Sequence, residues 1–163
     1  MAKIVLCRID SRLIHGQVVT KWVSQSNANR IIVASDMLIQ DPFMKNVYLM
    51  AAPPNVNVDC YGIEEACENW NSNKFGEGNV LLLFGDLNSL EEAWNKGLEV
   101  ENVQIGGLGG GPNRKTVFQN ITLDDNDVEI IKRLESKGVK FIFQTIPEDK
   151  PQQFKEILKK YNK

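Results

Sequence analysis

A chain of 163 residues, 42% apolar and 25% charged, suits one soluble domain spanning 1–163 with a sizeable core. Its net charge of −2 supplies neither the basic excess that nucleic acid requires nor an acidic tail for a basic partner. Met1-Ala2-Lys3 leads into an apolar segment without a signal-peptide layout, and no apolar run nears the roughly 20 residues that cross a bilayer, so a membrane role has to run through a partner.

The pattern alternates strand and helix throughout. Lys3 to Ile9 reads as a strand, nearly all apolar, as when both faces are covered. Gly16 to Asn27 follows as a helix with Val18, Val19, Trp22 and Val23 on one side, Trp22 being core. Ile31 to Ala34 is the second strand. Asp41-Pro42 opens a helix, aspartate capping and proline at the first position, with Phe43, Val47, Met50 and Ala51 as its apolar stripe. Pro53-Pro54 stops it. Val56 to Cys60 is a strand, Ile63 to Trp70 a helix, and Asn71 to Asn79 a polar loop. Val80 to Phe84 is a buried strand, after which Ser89 caps a helix from Leu90 to Lys96 that Gly97 closes.

Asn102 to Ile105 is the fifth strand. It runs into Gly106-Gly107-Leu108-Gly109-Gly110-Gly111-Pro112, which reads as irregular. Thr116 to Ile121 is a short extended piece suited to an antiparallel edge. A helix follows from Asn126 to Lys137, with Val128, Ile131 and Leu134 on one face. Val139 to Gln144 is the last strand and Pro151 to Tyr161 the last helix. Repeated βα units imply an α/β fold: an open, mostly parallel sheet with helices on both faces. Such sheets bind ligands beyond the carboxyl ends of their strands. The loops there carry Asp10, Arg12 and His15, then Asp36, then Asp86, then the glycine run. Cys7, Cys60 and Cys67 lack metal-site spacing and read as small buried residues without a role.

The stretch Arg8-Ile9-Asp10-Ser11-Arg12-Leu13-Ile14-His15-Gly16-Gln17 concentrates the chemistry. It holds the only histidine and two of the five arginines. Imidazole titrates near 6.5, so a neutral, nucleophilic ring nitrogen is abundant at pH 7. A phosphoryl group wants cations and free N–H groups. Arg8 and Arg12 offer the charge, Arg12 a bidentate fork, and the helix start at Gly16 and Gln17 unpaired N–H groups with a positive dipole end. The arginines also favour the neutral imidazole. Asp10 either bonds a ring nitrogen or fixes an arginine, and Arg8 either pairs with Asp10 or reaches the phosphate. The run Gly106–Gly111 matches neither a Walker nor a GxGxxG context, since no helix follows it directly.

This stretch, followed by Val18 and Trp22, resembles the signature of the IIB subunits of the mannose/fructose/sorbose family of the bacterial sugar phosphotransferase system. Ile31 to Asp36, Met50 to Pro54, Asn102 to Gly107 and Lys137 to Val139 fit the same family, so the resemblance covers the whole chain. It implies a mostly parallel sheet with one antiparallel strand. It implies that His15 takes a phosphoryl group on Nδ1 from a phosphohistidine of a IIA protein or domain. His15 then passes it to a sugar held by membrane IIC and IID subunits, at the inner face of the membrane. Asp10 and Arg12 flank the phosphohistidine, and no metal or organic cofactor is expected. Whether the subunit forms a homodimer is left open. Two departures stand out. Ser11 replaces the family's usual second aspartate, and Gly107 to Asn113 lacks bulkier, basic residues that Arg114 and Lys115 could replace.

Two other readings compete. One is a receiver-like or nucleotide-binding domain in which Asp10, Asp36 and Asp86 gather around Mg²⁺ or the glycine run holds a nucleotide. The other is a non-catalytic docking module of the same fold.

Overall fold

The computed structural model describes residues 1–163. Strand β1 (Lys3–Asp10) is followed by α1 (Gly16–Ser26), β2 (Arg30–Ala34), α2 (Asp36–Ile39), α3 (Pro42–Met50), β3 (Asn57–Tyr61), α4 (Ile63–Asn73), β4 (Asn79–Phe84) and α5 (Leu87–Asn95). Then come β5 (Asn102–Gly107), β6 (Lys115–Phe118), β7 (Ile121–Leu123), α6 (Asp125–Ser136), β8 (Lys140–Phe143), β9 (Gln152–Gln153) and α7 (Phe154–Tyr161). The main sheet has the order β3-β2-β4-β1-β5-β8-β9. All its pairings are parallel except that of β9 with β8.

The central strands are apolar at consecutive positions because each face is covered. Ile31, Val33, Leu81 and Leu83 point to one side, where they join Val19 and Trp22 of α1 and Leu38 of α2 in a core of 10 buried residues. Ile32, Ala34, Leu82 and Phe84 point to the other, into a core of 33 buried residues that α4, α5, α6 and α7 complete. All three cysteines are free and buried.

Helix starts follow local chemistry. Asp41 accepts from the Met44 N–H at 3.1 Å with Pro42 at the first position. Asp124 and Asp127 form a reciprocal capping box at α6. At α5 the cap is Asp86 rather than Ser89: the Asp86 carboxylate accepts from the Ser89 N–H at 2.7 Å, so the helix begins at Leu87. The charged carboxylate three residues upstream is the stronger acceptor for that N–H.

Four further expectations change. The stripe Phe43, Val47, Met50 of α3 faces solvent, and Met44 and Tyr48 pack inward instead. The helix carries two apolar stripes, and periodicity does not say which one meets the sheet. The glycine run is not wholly irregular, since Gly106 and Gly107 end β5. Thr116 to Ile121 is not one piece but parts of the two-stranded antiparallel hairpin β6–β7, separate from the main sheet. The edge strand is β9, just before α7, which starts at Phe154 rather than Pro151.

Connections set the crevice. From β1 the chain moves through α1 toward β2, whereas from β5 it moves toward β8 on the opposite side. Neighbouring strands whose exits diverge leave a gap at their carboxyl ends, the usual ligand position in such sheets. Asp10 and Gly107 pair across that gap.

Candidate functional site

The site is built on the end of β1. Asp10, only 1% exposed, turns the chain: its main-chain carbonyl accepts from the Leu13 N–H and its carboxylate from the Arg12 N–H at 3.0 Å. The same carboxylate receives Arg12 Nε at 3.1 Å and Arg12 Nη2 at 3.2 Å, so the arginine fork closes on it. From below, Arg8 Nη2 reaches it at 3.4 Å. His15 Nε2 lies 3.6 Å from Asp10 Oδ2. Asp10 therefore meets both alternatives at once, holding two arginines and facing a ring nitrogen.

Arg8 is 2% exposed and does not reach the surface. Its guanidinium donates to Gln104 Oε1, to the Gln144 carbonyl at 3.1 Å and to the Thr145 carbonyl at 2.8 Å, and lies 5.2 Å from the Trp22 ring centre. Burial pulls its pKa down to about 10 against the opposing pull of Asp10. Expected to reach a phosphate or to pair with Asp10, Arg8 is buried beneath Asp10 with these donors engaged inside the protein.

His15 is the residue before α1, with extended backbone. Gly16 takes φ +48, a left-handed value that favours glycine, and redirects the chain into the helix. No side chain caps α1, and the N–H groups of Gly16 and Gln17 have no acceptor. Both residues are exposed. The two nitrogens of His15 differ. Nε2 is buried on the Asp10 side without a hydrogen bond of normal length, whereas Nδ1 makes none and stays open to solvent. Partial burial lowers the His15 pKa below its ordinary 6.5, Arg12 lowers it further, and Asp10 opposes both. The ring is held neutral at pH 7.

The glycine run acquires a physical reason. A Cβ on Gly106 would sit 2.0 Å from Arg8 Cζ, and one on Gly107 2.9 Å from Arg12 Nη2 and 3.0 Å from Asp10 Oδ1. These glycines let the arginines cross β5, and Gly106 is the extra residue where the β1–β5 register slips. Ser11 accepts from the Gly109 N–H at 3.2 Å and so ties the loop before His15 to the glycine loop. Gly106 and Gly107 are thus filled by protein side chains, whereas Gly109 and Gly110 line an open cavity.

The acidic cluster does not assemble. Asp36 accepts from the Ile63 N–H at 2.9 Å, Asp86 caps α5, and Asp10 is covered by arginines. No group of three His, Cys, Asp or Glu side chains is arranged to hold a metal ion. An open cavity of about 610 Å³ lies beyond Ser11 and Leu13. Its wall includes neither His15 nor Arg12.

The residues that brace Arg8 and Arg12 carry little sign of it in the chain. Gln104 and Gln144 are buried polar residues at Arg8, and a glutamine between Val103 and Ile105 was the available signal. Trp22 is core, yet its indole N–H also donates to the Thr145 carbonyl at 2.9 Å. Tyr48 donates to the Arg12 carbonyl at 3.1 Å. Asn120, in the β6–β7 turn, contacts Arg12 with no local signal at all.

Comparison with known proteins gives the family. The family model of the PTS system sorbose subfamily IIB component matches residues 4–163. The chain belongs to this family. It is therefore a IIB component of a sugar phosphotransferase system, concerned with phosphoryl transfer in sugar uptake. It is 31% identical to the fructose-specific EIIB component of Bacillus subtilis (strain 168), over the full length of both chains. It is 30% identical to the mannose-specific EIIAB component of Escherichia coli (strain K12), covering 97% of this IIB component and 49% of that longer protein. The crystal structure of manxB from Thermoanaerobacter tengcongensis superposes with a TM-score of 0.92 at 36% identity, covering 99% of this chain and 98% of that one. No helix of this IIB component is long and apolar enough to cross a membrane.

Proposed function

We propose that His15 is the phosphoryl carrier of this IIB component. The observation that carries the reading is the asymmetry of the ring, with Nε2 turned to Asp10 and Nδ1 open to solvent. A carboxylate beside Nε2 favours the tautomer with the proton there, leaving the lone pair on Nδ1. That lone pair attacks the phosphorus of the phosphohistidine of a IIA protein or domain. A new N–P bond forms as the donor's N–P bond breaks, in line. The loaded ring becomes cationic, and Asp10 stabilises it through Nε2–H. Arg12 and the N–H groups of Gly16 and Gln17 stabilise the phosphoryl oxygens. A sugar hydroxyl, presented by membrane IIC and IID subunits, then attacks the phosphorus: its O–P bond forms, its proton passes to a base of those subunits or to water, the N–P bond breaks and the electron pair returns to Nδ1. Arg8 is a positioning residue that fixes Asp10.

The IIA partner is consistent with the name of the EIIAB relative, in which A and B share one chain. Relatives of nearly equal identity carry fructose and mannose in their names, so the reading commits to a sugar and not to one sugar. In it the protein works at the inner membrane face through its partners.

The test is phosphoramidate treatment followed by intact and peptide mass spectrometry. One acid-labile, base-stable phosphoryl group is expected on His15, and none on His15→Ala. That variant should fold normally, because the ring has no hydrogen bond of normal length to lose. A label on aspartate, or a folded His15→Ala protein that still passes phosphate to sugar, would overturn the assignment.

A further inference from the structure

We propose that Asn120 is a positioning residue for phosphoryl transfer, acting through Arg12 from the β6–β7 turn. The inference rests on the relay reading above and adds a residue to it. Arg12 is 41% exposed at its side chain and is the long, flexible member of the site. A free guanidinium would sample many rotamers, and phosphoryl transfer depends on placement. Asp10 holds one edge of it through Nε and Nη2.

Asn120 holds the other edge. Its oxygen accepts from Arg12 Nη2 at 2.8 Å and Nη1 at 3.2 Å, and its NH2 group donates to Thr145 Oγ1 at 2.9 Å. The reverse orientation would set an NH2 group against the arginine N–H groups, so the neighbours decide the amide's direction. Of the five guanidinium N–H groups, Nε supplies one, Nη2 two and Nη1 one to these partners. One N–H, on Nη1, is left. The clamp leaves the full charge of Arg12 beside His15 but a single directed donor for the phosphoryl oxygens. Charge then speeds acceptance, while the lack of a free fork keeps the group from being held too tightly to pass on.

The fold delivers Asn120 deliberately far from its place in sequence. Gln119 at φ +46 makes the tight turn between β6 and β7. The hairpin is seated on the extension of β5, where the Leu108 N–H donates to the Asn120 carbonyl at 3.3 Å and the Thr122 N–H to the Leu108 carbonyl at 3.0 Å. The two-stranded sheet thus has a task that its separation from the main sheet conceals.

The experiment measures the rate of His15 phosphorylation by phosphoramidate in four proteins: wild type, Asn120→Ala, Arg12→Ala and the double variant. Asn120→Ala is expected to slow uptake about tenfold in the wild-type background, the scale of a displaced charge stabiliser. It should have no further effect once Arg12 is alanine. A purely structural role would lower the rate in both backgrounds. Wild-type uptake by Asn120→Ala, or an undiminished effect without Arg12, overturns the proposal. Should Asn120→Ala fail to fold, Thr145→Val removes only the hydroxyl that fixes the amide; it should slow uptake in the same Arg12-dependent way, and a wild-type rate there also overturns it. A wild type that takes no phosphoryl group from phosphoramidate or from a phosphorylated IIA protein overturns the relay reading and this proposal with it.

Discussion

His15 keeps its two nitrogens in two media, one against a buried carboxylate and one against water. Burial and Arg12 lower its pKa below 6.5. The unfolded chain then binds the proton more tightly than the folded one. Stability contributed by His15 is complete above 6.5 and is lost as pH falls through the lowered pKa. Phosphoryl acceptance should follow the neutral ring, staying flat above 6.5 and falling only below it, as a pH–rate profile with phosphoramidate will read. Arg12→Ala should move the midpoint up, because one like charge is gone, and slow uptake about a hundredfold, the loss typical of one electrostatic stabiliser. A midpoint that does not move would remove Arg12 from the vicinity of the ring.

At the scale of elements, α1 is held at its start by glycine geometry rather than by a cap. Gly16 has φ +48, and a Cβ there would meet nothing within 4 Å. Its substitution therefore tests backbone conformation alone. Gly16→Ala should cost about 1–2 kcal/mol, the strain of a left-handed residue with a side chain, in denaturant unfolding. It should also slow His15 phosphorylation, because a helix that begins elsewhere moves the preceding residue. Unchanged stability would mean that the turn relaxes freely. Helix α3 is the contrasting case: its Asp41 cap and Pro42 follow sequence rules, while its more apolar stripe faces outward, with Phe43 74% and Met50 86% exposed.

For the whole molecule, Arg8 is the knot. It joins β1 to Gln104 of β5, to the segment after β8 through Gln144 and Thr145, and to Trp22 of α1. A buried pair such as Arg8 and Asp10 gains little over an apolar pair but is costly to break, since one charge is left without its partner. Arg8→Ala should destabilise the protein by about 3–5 kcal/mol, measured by chemical denaturation. Its loss of phosphoryl transfer should track that unfolding. An Arg8→Ala protein of wild-type stability that fails to transfer would return Arg8 to the phosphate.

Much of this was legible in the chain itself. The alternation of strand and helix follows from apolar runs and local caps, and the candidate site loop from residues within ten positions of one another. The signature from Arg8 to Gln17 pointed to the family because its chemistry is local. Tertiary structure alone decided the rest. Arg8 and Arg12 sit four residues apart, yet one is buried and the other open, because partners 96 and 136 residues away close over Arg8. Which stripe of α3 meets the sheet, why β5 ends in two glycines, and where Asn120 lies are likewise set by packing between distant segments. Periodicity and propensity describe a residue's neighbours along the chain; these positions are determined by neighbours across it.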